Sequence, residues 1–334
     1  MNEIRIDVTT GDSVLIATAR ASRPYQYKIT TPRENLPETN ATCPFCEGNE
    51  EMTPPETGVL RESGEPNGPG WKARIVPNLY PAVTADAELL SNGGGFGAGF
   101  AGRGIHEVYI ESPRHNLQLF DLEPEQMFGV YRMVAERVRE LASVEGIAAV
   151  SVFKNSGIKA GVSLIHPHGQ IVALPMVPPA VLKRLAILRM HKEQTGRDLF
   201  DDILEQERAF GGRIVCEGEH TVALCPYAPK TAFEVWIIPK KRACGFAYLD
   251  NESLRDFTDA MRDVLVRMRA VLGFFDFNIA FVDCPAGVDT GGLFHGFAKI
   301  MPRMSHIAGF ELGTEMFMNT HSPEMSADVL RQAE

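Results

Sequence analysis

The side chains best suited to chemistry lie in one short segment of the chain, Ile165-His166-Pro167-His168-Gly169-Gln170-Ile171. Read as a β-strand, this segment places His166, His168 and Gln170 on one face, because alternate residues of a strand point the same way. Two imidazoles and an amide are costly to bury without partners. We therefore predict a functional site here. The alternative is a pair of hydrogen-bonded histidines that only fill space beneath a loop.

His168 is the candidate reactive group, and two roles are open to it. As a nucleophile it would attack phosphorus, because the phosphoramidate that forms can later be displaced. As a general base it would activate water. Either role needs donors around an anionic phosphoryl group. Gln170 on the same face is one, and Ser163 lies five residues before His168 in a small-residue loop. Asn155 and Gly157 lie at the end of the preceding predicted strand, although turn chemistry explains Ser163 and Asn155 better when each is taken alone.

A Cys-x-x-Cys pair, Cys43 and Cys46, stands in a region rich in loop-forming residues. Three interpretations are open: a metal site, a redox pair or coincidence. The residues after Cys46 do not open an obvious helix, which a redox pair requires. Tetrahedral zinc needs four ligands, and His115 and His166 are the candidates closest to the predicted sheet. Zinc bound to His166 would hold the neighbouring strand rigid, as a catalytic group requires.

Two further segments could contact phosphate. Arg20 and Arg23 lie just before Pro24, and guanidinium groups suit phosphate, although a solvated loop is the better explanation when they are taken alone. Residues 91–104 are glycine-rich, but no Gly-Lys-Ser/Thr sequence follows them. We therefore predict a connector there and not a phosphate-binding loop.

The elements that must position these groups are strands and one long helix. Apolar residues indicate short strands around a turn within 4–18, and further strands over 71–80, 106–112 and 148–153. Residues 123–142 carry apolar side chains at helical spacing, which predicts a helix. The sequence thus indicates an α+β protein.

The second half of the chain repeats this order, which predicts an internal duplication. Each copy would be a sheet with a long helix packed on it. The second copy has a phenylalanine in place of the second histidine, which favours a single active site in the first half. The matched positions are His166 with His295, His168 with Phe297, Gln170 with Lys299, and His106-Glu107-Val108-Tyr109-Ile110 with Phe233-Glu234-Val235-Trp236-Ile237.

Composition and charge restrict the class of protein. The chain has 334 residues, of which 44% are hydrophobic, so two domains or one large duplicated unit are expected. The net charge of −10 argues against nucleic acid or an anionic membrane surface as a partner. No apolar run has the length of a signal peptide core or a membrane span, so we expect a cytoplasmic protein with reduced cysteines.

Together these motifs resemble the galactose-1-phosphate uridylyltransferase family, which belongs to the histidine-triad superfamily. The resemblance implies two histidine-triad-like units, each an antiparallel sheet with packed helices: residues 1–178 with the zinc site and the catalytic histidine, and residues 179–334 without that histidine. It also implies a homodimer. The motifs that carry it, in chain order, are Ala19-Arg20-Ala21-Ser22-Arg23-Pro24, Cys43-Pro44-Phe45-Cys46, Asn78-Leu79-Tyr80-Pro81, Glu111-Ser112-Pro113-Arg114-His115-Asn116, Asn155-Ser156-Gly157, Ser163, His166-Pro167-His168-Gly169-Gln170 and Phe233-Glu234-Val235-Trp236.

The resemblance further implies a double displacement, of the kind used in galactose metabolism. His168 would attack the α-phosphorus of a nucleotide sugar, release sugar 1-phosphate and pass the nucleotide to hexose 1-phosphate. Residues 170–179 also resemble the ADP-glucose phosphorylase branch, in which AMP passes to inorganic phosphate. An alternative of another class is a nucleotide-binding protein without turnover. No motif distinguishes uracil from adenine.

The family's functional residues can be carried over position by position. The resemblance implies a zinc site at Cys43, Cys46, His115 and His166, phosphoryl contacts from Gln170 and Ser163, a nucleotide and phosphate pocket lined by Arg20, Arg23, Asn78 and Asn155, and a hexose contact from Glu315.

The chain also departs from the family pattern. Many relatives have a His-x-His in the second half, and Phe297 stands in place of its second histidine, so we predict no second metal. Thr314 replaces an aromatic residue and His321 a glutamine at the sugar end, which leaves the identity of the sugar open.

Overall fold

The structure, a computed structural model, describes residues 2–20, 36–87, 99 and 101–333. Arg23 and most of the glycine-rich segment lie outside the described residues. The strands are β1 (Glu3–Ile6), β2 (Ser13–Ile16), β3 (Gly58–Arg61), β4 (Trp71–Pro77), β5 (Ile105–Ile110), β6 (Ala149–Ser156), β7 (His168–Leu174), β8 (Ile214–Glu217), β9 (Thr221–Leu224), β10 (Val235–Pro239), β11 (Phe277–Val282), β12 (Phe297–Pro302) and β13 (Phe317–Asn319). The helices are α1 (Pro124–Ala142), α2 (Pro179–Thr195), α3 (Leu199–Phe210), α4 (Asn251–Leu272), α5 (Gly309–Thr314) and α6 (Pro323–Gln332). The predicted strands and the predicted long helix are confirmed to within a few residues at their ends.

One antiparallel sheet organises the described part of the chain. Its ten strands follow the order β3-β4-β5-β7-β6-β11-β12-β10-β9-β8. Read inward from one edge of the sheet, the first half contributes β3-β4-β5-β7-β6. Read inward from the other edge, the second half contributes β8-β9-β10-β12-β11. Each strand of one half therefore has a counterpart at the same place in the other half. An internal duplication predicts this mirrored order, with β6 and β11 paired at the centre. The division at residues 178 and 179 stays a prediction.

The strand register corrects one predicted match between the halves. Gln170 lies opposite Val108, and Lys299 lies opposite Trp236. Since Gln170 and Lys299 are counterparts, Trp236 takes the place of Val108 and not that of Tyr109. The sequence match of these two strands was therefore wrong by one residue, because it aligned Glu107 with Glu234, and Glu107 lies within β5 whereas Glu234 precedes β10.

The two faces of the sheet carry different structures, because successive strand residues alternate between them. On one face α1 and α4 bury long apolar stripes against residues such as Tyr109, Ile171 and Ile300. Each large apolar side chain buried in this way contributes about 1.5–3 kcal/mol. The α1 helix begins with a proline at its first position, which suits a helix start. His168 and Gln170 lie on the opposite face.

The second half covers that opposite face with α2 and α3, two helices that were not predicted. Their apolar residues pack on Trp236 and Phe297. A smaller sheet pairs β2 with β1 on one side and with β13 on the other, so that it joins the two ends of the chain. Within the described ranges, no helix combines the length and apolar character needed to cross a membrane.

Candidate active site

The strand that carries the predicted reactive groups lies between β5 and β6 and begins at His168. His166 therefore precedes the strand and is not part of it. The glycine between the reactive groups is required by packing, because a Cβ at Gly169 would lie 2.1 Å from the Tyr109 ring. This close approach fixes the backbone on which His168 stands.

Hydrogen bonds orient the His168 ring. Its Nδ1 lies 2.7 Å from the His166 carbonyl oxygen. Only an N–H can donate to a carbonyl, so Nδ1 carries the hydrogen and Nε2 keeps a free lone pair. Burial lowers the pKa of His168 to about 4, which keeps the ring neutral near pH 7. The Phe45 ring packs against it at a centroid distance of 5.2 Å.

A buried ion pair supports the start of the strand. Lys154 donates to Glu111 Oε2 at 2.7 Å and to the His168 carbonyl oxygen at 3.1 Å. Both charged side chains are excluded from solvent. Burial raises the pKa of Glu111, whereas Lys154 opposes that rise. The pair therefore holds the backbone of His168 through its carbonyl group.

A cavity of about 330 Å³ opens beside the His168 ring. Four predicted site residues line it: Asn78, Ser163, His168 and Gln170. Its walls are otherwise largely apolar and include Phe45, Val76, Leu79, Tyr80 and Val108. A pocket with apolar walls and a few convergent polar groups is the usual form of a small-molecule site.

His106, which was not predicted as a site residue, also lines this cavity. Its Nδ1 accepts a hydrogen bond from the Ala82 N–H at 3.0 Å, so Nε2 carries the hydrogen. That nitrogen lies 2.8 Å from Gln170 Oε1, which accepts the bond. The amide NH₂ of Gln170 is then left free to donate into the cavity. The sequence contained one indication of this site: His106 is a polar residue on the strand face that it shares with the apolar Val108 and Ile110.

The four predicted metal ligands form one buried group. One ligand atom from each of them lies within 4.8 Å of the others. Cys46 Sγ is 3.5 Å from His115 Nδ1 and 3.6 Å from His166 Nδ1. Zn–S and Zn–N bonds of ordinary length at a tetrahedral angle place sulfur and nitrogen about 3.6 Å apart. Cys43 completes the set, so the donors have the type and spacing that tetrahedral zinc requires.

Neighbouring groups orient these donors. His166 Nε2 donates to the Ser112 carbonyl oxygen at 2.7 Å, which leaves Nδ1 as the lone pair facing Cys46. The backbone N–H of Asn40 donates to Cys46 Sγ at 3.3 Å, as suits a thiolate. Such secondary contacts are usual around zinc ligands.

The remaining predicted residues that the structure describes lie outside the His168 cavity. Asn155 accepts a hydrogen bond from Asn278 at 2.7 Å on the pairing between β6 and β11. Gly157 has a φ of 95° and approaches Asp276 so closely that a Cβ would lie 1.9 Å from Oδ1. Arg20 lines another cavity, and Glu315 is exposed after α5.

The chain resembles known proteins over its whole length. Residues 98–178 match the N-terminal domain of galactose-1-phosphate uridyl transferases. The chain is 33% identical to an ADP-glucose phosphorylase of Arabidopsis thaliana over 99% of its own length and 92% of that protein. It is 26% identical to a galactose-1-phosphate uridylyltransferase of Thermotoga maritima, over 100% of this chain and 99% of the relative. A crystal structure of an Arabidopsis thaliana ADP-glucose phosphorylase with bound ADP-glucose matches with a TM-score of 0.84 at 30% identity, covering 100% of this chain and 99% of that one.

The fold, the histidine site and these similarities define a nucleotidyltransferase. The chain belongs to the galactose-1-phosphate uridylyltransferase family. The predicted α+β class is confirmed, and so is the predicted resemblance to the ADP-glucose phosphorylase branch.

Proposed function

We propose that the chain moves a nucleoside monophosphate from a nucleotide sugar to a phosphate-bearing acceptor through a covalent intermediate on His168. The orientation of the His168 ring carries this proposal. Its Nδ1–H donates to the His166 carbonyl oxygen, so Nε2 carries no hydrogen and has a free lone pair. The ring lines the cavity. A nucleophile is best held in this way, with one nitrogen fixed and the other free.

Two displacements at one phosphorus then follow. In the first, Nε2 forms a bond to the α-phosphorus, and the bond from that phosphorus to the bridging oxygen breaks. The sugar 1-phosphate leaves with the electron pair. The ring keeps its Nδ1 hydrogen and gains positive charge, which the His166 carbonyl oxygen stabilises. In the second, an oxygen of the acceptor phosphate attacks the same phosphorus and the P–N bond breaks, which restores the neutral ring.

The other residues of the cavity have supporting roles in this proposal. The free NH₂ of Gln170 and the hydroxyl of Ser163 donate to the non-bridging phosphoryl oxygens, whose charge grows in the transition state. Asn78 contacts the nucleotide. The roles of Arg20, Arg23, Asn155, Gly157 and Glu315 in substrate binding stay predictions from the family resemblance.

Hexose 1-phosphate is the first candidate acceptor, as in the uridylyltransferase relatives. A second candidate is inorganic phosphate, with ADP-glucose as donor. The similarity to the Arabidopsis thaliana phosphorylase supports it, because that identity exceeds the identity to the Thermotoga maritima uridylyltransferase and the relative's structure holds ADP-glucose.

We also propose that Cys43, Cys46, His115 and His166 bind one zinc ion. The ion, when bound, would be structural and would cross-link the loop that carries the cysteines to the segment before β7. The donor spacing and the tautomer of His166 support this assignment. The chain itself still orients His168 through the His166 carbonyl and Lys154. A homodimer and a cytoplasmic location stay predictions.

Labelled nucleotide sugar tests the proposed reaction. The protein is incubated with UDP-glucose or ADP-glucose labelled at the α-phosphorus, denatured, and examined for covalent label. We expect label on the wild type and none on His168→Gly. Glucose 1-phosphate, galactose 1-phosphate and inorganic phosphate are then added to the isolated adduct, and the acceptor that removes the label identifies the reaction. Failure of every nucleotide sugar to label the protein would leave the non-catalytic binding protein as the better account.

A further inference from the structure

Two thiols of the second half lie where the segments after β10 and β11 meet. Cys244 follows β10, and Cys284 follows β11. The backbone N–H of Cys284 donates to the Cys244 carbonyl oxygen at 2.6 Å. Such a bond places two Cα atoms about 5–6 Å apart, within the range of about 4.4–6.8 Å that a disulfide spans. The backbone positions therefore already suit a bond between the two sulfur atoms.

Close packing holds these two segments in place. A Cβ at Gly245 would lie 2.0 Å from Asp283 Oδ1, and a Cβ at Gly296 would lie 2.3 Å from the Gly245 Cα. The backbone N–H of Gly296 also donates to the Ala243 carbonyl oxygen at 2.8 Å. The neighbours of both cysteines are thus fixed against each other and against the residues before β12. The two thiols therefore cannot move apart without disturbing the end of the sheet.

The two thiols differ in exposure and in acidity. All six cysteines lie within the described ranges, and Cys244 is the only exposed one, whereas Cys284 is half-buried. A hydrogen bond from the Cys284 thiol lowers the pKa of Cys244 to about 6, although partial burial opposes this shift. The hydroxyl oxygen of Thr290 lies 3.9 Å from Cys284 Sγ. An accessible thiolate beside a second thiol is the usual arrangement of a redox-reactive pair.

We propose that Cys244 and Cys284 form a reversible disulfide, with Cys244 as the attacking group and Cys284 as the resolving thiol. The oxidant is a small-molecule disulfide such as oxidised glutathione. In the first step the Cys244 sulfur bonds to one sulfur of the oxidant, whose S–S bond breaks, and a glutathione thiolate leaves with the electron pair. In the second step Cys284 gives its proton to solvent, its sulfur attacks the Cys244 sulfur, and the second glutathione thiolate leaves. The two protein thiols lose two electrons, and the oxidant gains them.

The disulfide acts on stability and not on nucleotidyl transfer. It closes the loop between Cys244 and Cys284, which contains α4 and β11, and so restricts the unfolded chain. Neither cysteine is among the described residues that line the His168 cavity, so turnover should not change. The proposal therefore goes beyond the transfer reaction and does not depend on it. In a reducing compartment such a bond is transient, as is typical of redox-sensing thiols.

Peptide mapping of the full-length protein, purified without chelator, tests the pair directly. The protein is equilibrated with mixtures of oxidised and reduced glutathione, its free thiols are trapped with N-ethylmaleimide, and it is digested with trypsin. Cleavage after arginine and lysine gives peptides 243–255 and 270–299, each with one cysteine. We expect these two peptides to be joined in the oxidising mixtures and to separate on treatment with dithiothreitol.

Single substitutions distinguish the roles of the two thiols. Cys284→Ala should keep glutathione on Cys244, because the resolving thiol is absent. Cys244→Ala should lose both the mixed disulfide and the link. Cys216→Ala is the matched control, since Cys216 is a half-buried cysteine of another strand, β8, and its loss should leave the link unchanged. Circular dichroism shows whether each variant is folded.

The melting temperature provides a second measurement. Oxidation should raise it by about 5 °C or more in the wild type and not in Cys244→Ala or Cys284→Ala. A melting temperature that fails to rise would overturn the claim that the native structure already positions the two sulfur atoms for bonding. Glutathione that stays on Cys244 of the wild type, or the absence of a link in the most oxidising mixture, would overturn the pair itself. His168→Gly should form the same link, so failure of the transfer reaction is distinguishable from failure of this proposal.

Discussion

The two halves of the molecule share one histidine hydrogen bond and differ in what surrounds it. His166 Nε2 donates to the Ser112 carbonyl at 2.7 Å, and His295 Nε2 donates to the Pro239 carbonyl at 2.8 Å. In the first half the other ring nitrogen faces a cysteine thiol. In the second half the Phe200 ring stacks on the histidine at 4.9 Å, and Nδ1 has no hydrogen-bond partner among the described residues. The shared scaffold orients a histidine in each half. Among the described residues, further metal-ligating side chains gather around the histidine of the first half and not around His295.

The difference comes from segments outside the sheet. A loop with two cysteines covers the site face in the first half, whereas α2 and α3 cover it in the second with an apolar cluster. Two of the differences between β7 and β12 fall on reactive positions of the site face: Phe297 takes the place of His168, and Lys299 takes the place of Gln170. A duplicated sheet can therefore keep its hydrogen bonding while the segments that cover it decide between catalysis and packing.

The largest expected effect is the loss of the nucleophile. His168→Gly should reduce turnover by at least about 10⁴-fold, because the covalent route is removed. Initial rates with the best nucleotide sugar and acceptor measure this loss. The matched change in the other half, Phe297→His, should give no second covalent adduct, because the Trp236 ring packs on this position at 4.7 Å. A doubly labelled Phe297→His protein would show that the two halves are more alike than their surroundings indicate.

The next largest effect concerns zinc content, which should depend on the group that contains His166 and not on its counterpart His295. Cys43→Ser should reduce zinc from about one ion per chain to little or none, since three ligands hold structural zinc poorly. His295→Ala should leave the zinc content unchanged. Metal analysis of protein purified without chelator measures both. Zinc retained in Cys43→Ser, or absent from the wild type, would contradict the assignment.

One lysine from each half, Lys154 and Lys299, should respond to substitution in opposite ways. Lys154→Met leaves Glu111 buried without its cation, which should cost about 3–5 kcal/mol of unfolding free energy. Lys299→Met removes a cation that has no carboxylate oxygen within 4 Å among the described residues, so this change should be neutral or stabilising. Urea unfolding of both variants without phosphate ligands provides the comparison. Equal destabilisation by the two substitutions would mean that Lys299 has an ionic partner of similar strength.

His106 should have a smaller effect, on turnover more than on binding. His106→Ala frees the Gln170 amide to rotate, and we expect kcat to fall about 10-fold with a smaller change in KM. His106→Gln restores an N–H donor at a similar reach and should recover part of the loss. If His106→Ala and His106→Gln changed kcat and KM by the same amounts, His106 would have a packing role only.

The smallest effect concerns pH. The folded pKa of Lys299, about 8, lies below its ordinary value of 10.5, so between these values the unfolded chain binds more protons than the folded one. Stability from this group must therefore rise with pH over that window. Relative to Lys299→Met, the wild type should gain unfolding free energy between pH 8 and 10.5. Parallel stability curves for the two proteins would contradict the lowered pKa.

Local sequence patterns predicted the strands, the α1 helix and the reactive histidine, because these depend on short-range periodicity and on side-chain chemistry. The zinc group was predicted from residue types and family resemblance, and its four members do lie together. His106 was missed, because its role depends on β5 lying next to β7, which no local pattern reveals. The α2 helix was missed as well, since it carries no apolar stripe of the kind that α1 shows.

Because β6 pairs with β11 at the centre of the sheet, the two halves of the chain cannot be separated without breaking this strand pairing. Cutting the chain between the two halves would give each fragment an unpaired edge strand that nothing covers. Each fragment made alone should therefore aggregate or pair with its own copies. Made together, the two edges offer complementary partners, Lys154 opposite Ile279 and Asn155 opposite Asn278. The molecule is thus suited to a split-enzyme assay in which activity reports the meeting of two fused proteins.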